Sequence, residues 1–302
     1  MTAPEFRTEM NFAYGEPSQL APGIVRLVAN NPSVFTFKGT NTYILGTSEL
    51  AIIDPGPDDE VHFDAVMATV AGRPVTHILL THTHRDHVDG LPRLAEATGA
   101  KVYAYGRKAR DEGTSRSAAD GTEFVDHGFT PAVPLRDGDT VSGPDWAVEA
   151  IFTPGHAPDH LCFAMPERGI LFSGDHVMGW NTSVVAPPEG NMADYLASLE
   201  RLIGRTDEVY FPGHGGRVET PVRLAKAFLI HRRSREQAIF DAIRGGSTTV
   251  AAIVAQIYKD LDPRLVRAAS MSVLAHIEHL IARGLVRADG GAATLDAELQ
   301  AV

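Results

Sequence analysis

Ten residues constrain this chain more than any other feature. They are Thr81-His82-Thr83-His84-Arg85-Asp86-His87-Val88-Asp89-Gly90, directly after the apolar run Ile78-Leu79-Leu80. A short apolar run bounded by polar residues reads as a buried strand, so three imidazoles and a carboxylate leave one strand end together. In an extended stretch, residues two apart share a side. His82, His84 and Asp86 are therefore expected to point one way, while His87 opens the next helix. Imidazole and carboxylate at this density suit a borderline divalent cation such as zinc. The bland alternative, a solvated polar loop, does not account for such clustering.

The same arrangement recurs. His156, in Thr153-Pro154-Gly155-His156, follows Ala150-Ile151-Phe152. Asp175, in Ser173-Gly174-Asp175, follows Ile170-Leu171-Phe172, and His214, in Pro212-Gly213-His214-Gly215, follows Val209-Tyr210-Phe211. Asp54, in Asp54-Pro55-Gly56, follows Ala51-Ile52-Ile53. Taken singly, each is an ordinary loop polar. Together they place metal-type residues where α/β proteins gather their sites, on loops at the strands' carboxyl ends. The neighbouring glycines permit tight turns and close backbone approach.

The rest of the chain is organised around these runs. Strands are expected at Ile24–Val28, Thr42–Leu45, Ala51–Ile53, His77–Leu80 and Val102–Ala104, then at Glu149–Phe152, Leu161–Ala164, Ile170–Phe172 and Val209–Phe211. Helices fit Val61–Val70, Val88–Thr98 and Ala193–Ile203, and Asp111–Gly121 reads as a surface loop. Residues 1–220 thus form an α/β domain, and residues 221–302 a small helical one. In the latter, Val222–Arg244 is a helix stopped by Gly245-Gly246, and Ser247-Thr248-Thr249 caps a second helix running to Tyr258. Asp262-Pro263 opens a third helix that Gly284 ends, and Leu285–Leu295 reads as a hairpin around Gly290-Gly291. Helix, helix, hairpin is a winged-helix-like order.

Composition closes off several alternatives. Of 302 residues 44% are hydrophobic, enough for a core without staples. The lone Cys162 excludes an internal disulfide and a cysteine zinc site, and reads as a buried core thiol. A net charge of −11, from 38 acidic and 27 basic residues, disfavours broad nucleic-acid binding. From Phe240 to Val302 there are six basic and seven acidic residues, so a DNA-binding regulator acting through this segment is disfavoured too. The dense apolar pattern of Asp262–Arg283 suits docking on the α/β domain or on a partner subunit. Lys226, Arg232, Arg233 and Arg235 form a local basic strip, read either as an RNA contact or as a solvated helix face with paired charges. Met1–Met10 lacks a basic n-region and an apolar h-region, and no apolar run nears the roughly 20 residues that span a bilayer. The expectation is a cytoplasmic protein without membrane contact.

The order His-x-His-x-Asp-His, then a distant Gly-His, Gly-Asp and Gly-His, resembles the metallo-β-lactamase superfamily of binuclear hydrolases. Phe35–Tyr43, Thr81–Gly90, Asp159-His160, Trp180–Val185, Tyr195, Leu199 and the helix Ile230–Gln237 are similar to its β-lactamase-like protein 2 branch, as is the helical tail. The resemblance implies a four-layer αββα sandwich plus a small C-terminal winged-helix-like domain. It implies two divalent ions, zinc first, with manganese or iron as alternatives. His82, His84 and His156 would hold one, Asp86, His87 and His214 the other, and Asp175 would bridge them. Asp54 and His160 would support the ligands from behind. The implied activity is hydrolysis of an ester, thioester, lactone or phosphodiester bond by a metal-bridging hydroxide, with Asp86 orienting it and shuttling its proton. A single-strand RNA endonuclease and a mono-iron dioxygenase are the alternatives on the same scaffold. The substrate is accordingly a small molecule or single-stranded RNA, and a homo-oligomer is left open.

Other residues carry weaker readings. Tyr43, Asn41, Trp180 and Thr182 stand either in the pocket wall or in simple packing, and His176 beside the ligands. His62, His77, His127, His231, His276 and His279 read as surface or helix-face residues. Asp89 stands where many members of the branch have Gly or Ser, which would add a carboxylate near the site.

Overall fold

In the computed structural model, residues 4–106, 129–259 and 261–302 are described, without the side chain of residue 264. The Asp111–Gly121 loop and His127 lie outside them.

The first sheet runs in sequence order: β1 (Ser18–Ala21), β2 (Ile24–Val28), β3 (Asn41–Leu45), β4 (Leu50–Ile53), β5 (Val75–Leu79), β6 (Lys101–Tyr105) and β7 (Val133–Leu135). The second contains β8 (Thr140–Ser142), β9 (Ala147–Phe152), β10 (Leu161–Met165), β11 (Ile170–Gly174) and β12 (Val209–Pro212), in the order β12-β11-β10-β9-β8. β1, β7 and β8 escape the sequence reading. They are short, their side chains are partly exposed, and β7 carries Pro134, so no apolar run marks them.

Three apolar layers hold the sheets and helices. Tyr43, Leu79, Phe163, Phe172 and Phe211 fill the space between the sheets. Helices α1 (Glu60–Val70) and α3 (Leu91–Thr98) cover the first sheet through Val66, Val70, Leu91 and Leu94. Helix α4 (Met192–Ile203) covers the second through Tyr195, Leu199 and Leu202. This is the four-layer αββα sandwich. Strands such as β4 and β10 are buried on both faces, which is why their sequences are apolar without alternation.

Strand direction decides where the loops emerge. β4 and β5 are parallel, with Ile53 opposite Leu79, so Asp54 and Thr81 leave side by side. β11 and β12 are parallel, with Phe172 opposite Phe211, so Asp175 and His214 do the same. β9 and β11 are both antiparallel to β10, hence codirectional, and His156 joins them.

The helix expected over Val88–Thr98 is two pieces, α2 (Arg85–Val88) and α3. Gly90 separates them because its backbone docks on the Asp54 loop. Its N–H donates to Gly56 O at 2.9 Å, and a Cβ there would lie 2.9 Å from Pro57 O.

In the C-terminal part, α5 (Pro221–Arg244) spans two cores. Leu224, Ala225 and Phe228 pack with α4 and the second sheet. Ile239, Ala242 and Ile243 pack with α6 (Val250–Ile257) and α7 (Val266–Ala282). Ala275 of α7 also enters the core of the sandwich, so α7 docks on it. The hairpin pairs β13 (Val286–Ala288) with β14 (Leu299–Ala301), further on than Leu295. Burial selects that partner: Leu299 is 2% exposed, Leu295 41%. Among the described residues no helix is long and apolar enough to cross a membrane.

Candidate metal centre

Five imidazoles and two carboxylates meet at the common strand edge. Three donor groups, each with its atoms within 4.8 Å of one another, form among them: His82-His84-His156, His82-His87-Asp175 and Asp86-His87-His214. They share His82 and His87, so the three make one continuous cluster. The expected alternation holds only as far as His84. Its backbone is extended, at φ −68 and ψ 142, but the helix begins at Arg85. Asp86 therefore turns away from His82 and His84. It lies 3.2 Å from His214 Nε2 and 3.4 Å from His87 Nε2.

Four of the five imidazoles are oriented from behind. His87 Nδ1–H donates to Asp54 Oδ2 at 2.9 Å. Asp54 also accepts Thr81 N–H at 2.8 Å and Thr81 Oγ1–H at 2.7 Å. With its hydrogen spent there, Thr81 Oγ1 accepts from His82 Nδ1 at 2.9 Å. His156 Nδ1–H donates to Val184 O at 2.6 Å, and His214 Nδ1–H to Gly39 O at 3.2 Å. In all four rings an acceptor occupies Nδ1, so the Nε2 lone pair faces inward. His84 presents Nδ1 instead, 2.9 Å from both His82 Nε2 and His156 Nε2.

That geometry tests whether a cation belongs there. One proton on His84 Nδ1 cannot serve two facing lone pairs, and His87 Nε2 and Asp175 Oδ1 are buried with no hydrogen-bond partner. A divalent cation accepts lone pairs from every side, so the donor set fits one. Electrostatics agree. Burial alone would depress His87 and His214, but Asp86 and Asp175 outweigh it; His87 lies well above its ordinary value and His214 is pushed up to about 9. Burial opposes ionisation of Asp86 and Asp175 as well, yet the facing histidines hold both well below the usual carboxylate range. Burial and neighbouring imidazoles hold His82 and His84 well below theirs. The carboxylates call for positive charge, and the lone pairs for an acceptor other than protons.

The surroundings are tightly built. A Cβ on Gly213 would lie 2.3 Å from Asp175 Oδ1, so only glycine lets the His214 loop approach. His160 Nε2 accepts the Asp175 N–H at 3.1 Å, and its Nδ1 faces Thr153 Oγ1 at 2.9 Å. Asn41 and Tyr43 are packing residues: Asn41 Nδ2 donates to Pro212 O and Gly215 O, and the Tyr43 hydroxyl to Pro212 O. Trp180 stacks on Phe37, centroids 5.0 Å apart. His176 is buried against the Tyr195 ring. Cys162 is fully buried, and burial pushes its thiol up to about 12.

Some readings change. Asp89 pairs with Arg85 at 3.1 Å and contributes to none of the donor groups. His62 and His276 face inward from their helices, both buried. The basic strip is dispersed: Arg232 is buried, Arg233 pairs with Glu200, and Arg235 lies 4.2 Å over the Tyr258 ring. Residues that the sequence reading placed in family-like segments without a role at the centre also bear on it. Thr40 Oγ1 donates to Asp86 Oδ2 at 3.1 Å, and the Gly39 and Val184 carbonyls orient imidazoles. Backbone acceptors leave no trace in residue types, and Thr40 lies far from the histidines in sequence.

Fold and site together define a metal-dependent hydrolase of the metallo-β-lactamase class. The chain belongs to the metallo-beta-lactamase superfamily, whose model matches residues 35–214; that of the beta-lactamase associated winged helix domain matches 249–294. It is 32% identical over 282 residues to a beta-lactamase-like protein 2 homolog of Drosophila melanogaster, covering 89% of this chain and 91% of that one. It is 31% identical to an atrochrysone carboxyl ACP thioesterase of Aspergillus fumigatus, covering 76% of this chain and 67% of that one. A crystallised metallo-beta-lactamase family protein from Thermus thermophilus superimposes with a TM-score of 0.75 at 26% identity, covering 94% of this chain and all of the other.

Proposed function

We propose that the chain is a binuclear hydrolase of an acyl thioester or a chemically related ester, lactone or phosphodiester bond. One observation carries the binuclear reading: His82-His84-His156 and Asp86-His87-His214 are separate donor groups, joined by a third that contains Asp175. The first group would hold one divalent ion and the second the other, with Asp175 between them. Two such ions would polarise the substrate oxygen and make coordinated water acidic near neutral pH.

The chain's own residues do the rest. Asp54, Thr81, Gly39 and Val184 keep four imidazoles in the ligating tautomer. Asp86 is the most open carboxylate, its side chain 28% exposed against 9% for Asp175. It therefore meets incoming water. Thr40 and His214 hold its Oδ2 in place, and the carboxylate would orient the attacking water and pass its proton on. Water adds to the acyl carbon, the carbon–sulfur bond breaks, and the proton passes to the departing thiolate. The thioester preference rests on the name of the Aspergillus relative.

The test combines metal analysis with a substrate panel of thioesters, lactones, a phosphodiester, a β-lactam and single-stranded RNA. Two metal equivalents and thioester turnover lost in His82→Ala are expected. One iron per chain would replace this reading with the dioxygenase.

A further inference from the structure

Arg232 sits on α5, outside the donor cluster, and is 4% exposed. One guanidinium nitrogen, Nη2, donates to the carbonyl of Ser183. The other, Nη1, donates to Ser272 Oγ on α7 at 3.1 Å. The guanidinium carbon lies 5.4 Å over the Tyr195 ring. All three partners are neutral, so none of these contacts is an ion pair. A guanidinium is a rigid planar fork and can hold two acceptors in fixed relation, which an ammonium cannot.

What the fork holds is the backing of one imidazole. Ser183 precedes Val184, whose carbonyl accepts the His156 Nδ1–H at 2.6 Å. Tyr195, under the same guanidinium, packs on the backbone just before His156: a Cβ on Gly155 would lie 2.3 Å from Tyr195 Cα. Asn191, which caps the helix bearing Tyr195, donates its N–H to Gly155 O at 2.8 Å. Arg232 thus touches both structures that locate His156, the Ser183 carbonyl one residue before the Val184 acceptor and the Tyr195 ring of α4. Through Ser272 it links them to the C-terminal helices.

We propose that Arg232 is a positioning residue for the metal centre: by holding the Ser183 carbonyl it fixes the segment whose next carbonyl, that of Val184, keeps His156 in the tautomer with Nε2 facing His84, and it couples that ligand to α7 through Ser272. This rests on the reading of His156 as a metal ligand. Removing the fork frees Ser183-Val184, loosens the bond to Nδ1 and lets the ring exchange tautomers or rotate. The effect should fall on the ion held by His82, His84 and His156 and spare the other.

The experiment uses full-length protein and zinc alone. Zinc is titrated against a competing chelator for wild type, Arg232→Gln, Arg232→Lys and Ser272→Ala. The 15N shifts of the His156 ring are recorded by NMR, and folding is checked by circular dichroism. Arg232→Gln should weaken one of two zinc sites by about 10- to 100-fold, the usual range for an outer-shell partner. The second site should stay within about twofold on the same scale. The His156 Nδ1–H signal should shift or broaden. Arg232→Lys should fall between, and Ser272→Ala should show a smaller selective loss. Two unchanged zinc sites with unchanged His156 shifts in all three variants would overturn the proposal, as would equal weakening of both sites. If Arg232→Gln does not fold, Arg232→Lys and Ser272→Ala decide by the same criteria. A wild type that takes up no zinc overturns the binuclear reading and this one with it; a wild type that takes up two beside unaffected variants overturns this one alone.

Discussion

Two histidine-containing clusters among the described residues differ in kind. The first joins His82, His84, His87, His156 and His214 to Asp86 and Asp175. The second lies between α5 and α7, where Glu236 meets His279 at 2.6 Å, Arg283 at 2.6 Å and His276 at 3.6 Å. In the first, acceptors behind four of the rings turn their lone pairs toward a common centre. In the second, Glu236 is the centre: His279 and Arg283 donate to it, and the buried His276 ring stands beside it. Its two close partners already satisfy the carboxylate, and among the described residues no donor group able to hold a metal forms there. The difference teaches that convergent lone pairs make a metal site, whereas convergent donors make a structural knot.

The comparison can be broken most decisively at the first cluster. His84→Ala and Asp86→Ala should each lower turnover at least about 1,000-fold, comparable to losing a principal catalytic group, while circular dichroism stays unchanged. His279→Ala, in the second cluster, should leave kcat within about twofold, as expected of a residue that contacts no reacting group. A large kcat loss in His279→Ala, or retained activity in both first-cluster variants, would erase the distinction. Dialysis against a chelator should abolish activity, and added zinc or manganese should restore it. The same dialysis should leave the contacts of Glu236 intact, read as an unchanged His279 NMR signal.

The second cluster should fail in stability instead. Glu236→Ala should cost about 1–3 kcal/mol in denaturant unfolding, the loss of the charge-assisted hydrogen bonds that tie α5 to α7, with kcat unchanged. Acid should find the same weakness. Burial pulls His276 down to about 4 from an ordinary 6.5, and Glu236 only partly offsets this. Between those values the unfolded chain binds the proton more readily than the folded one, so stability falls as pH drops from 6.5 toward 4. Denaturation midpoints across that window should show the slope, and His276→Leu should reduce it by one proton's share, since other buried histidines such as His62, pulled down to about 4, contribute as well. Asp89→Gly should have the smallest effect, turnover within about twofold of wild type, because its partner is the exposed Arg85.

The donors of the first cluster were legible because each sits just after an apolar strand, and strand ends are a local pattern. The second cluster was not legible. His276 and His279 are spaced like any helix-face residues, and Glu236 lies a helix away in sequence. The edge strands β1, β7 and β8 and the second hairpin strand β14 were missed because too few of their residues are buried to leave an apolar run. Arg232 was misplaced for the converse reason. Its neighbours in sequence are basic, and only the packing of α5 between α4 and α7 turns it inward while Arg233 and Arg235 stay outside.

By itself the sequence determined an α/β domain, the strand ends that carry the candidate site and the residues gathered there, because short apolar runs and glycine-marked strand ends are read over a few residues; the sandwich was what the family resemblance implied. Only the tertiary structure decided which ring nitrogen faces inward, what orients each ring and which arginine is buried. Asp86 parts from His84 because a helix starts between them, and it meets His214 because the two sheets bring their loop-bearing edges together. The tautomers follow from Asp54, Thr81, Val184 and Gly39, whose oxygens reach the rings only once the strands are in register.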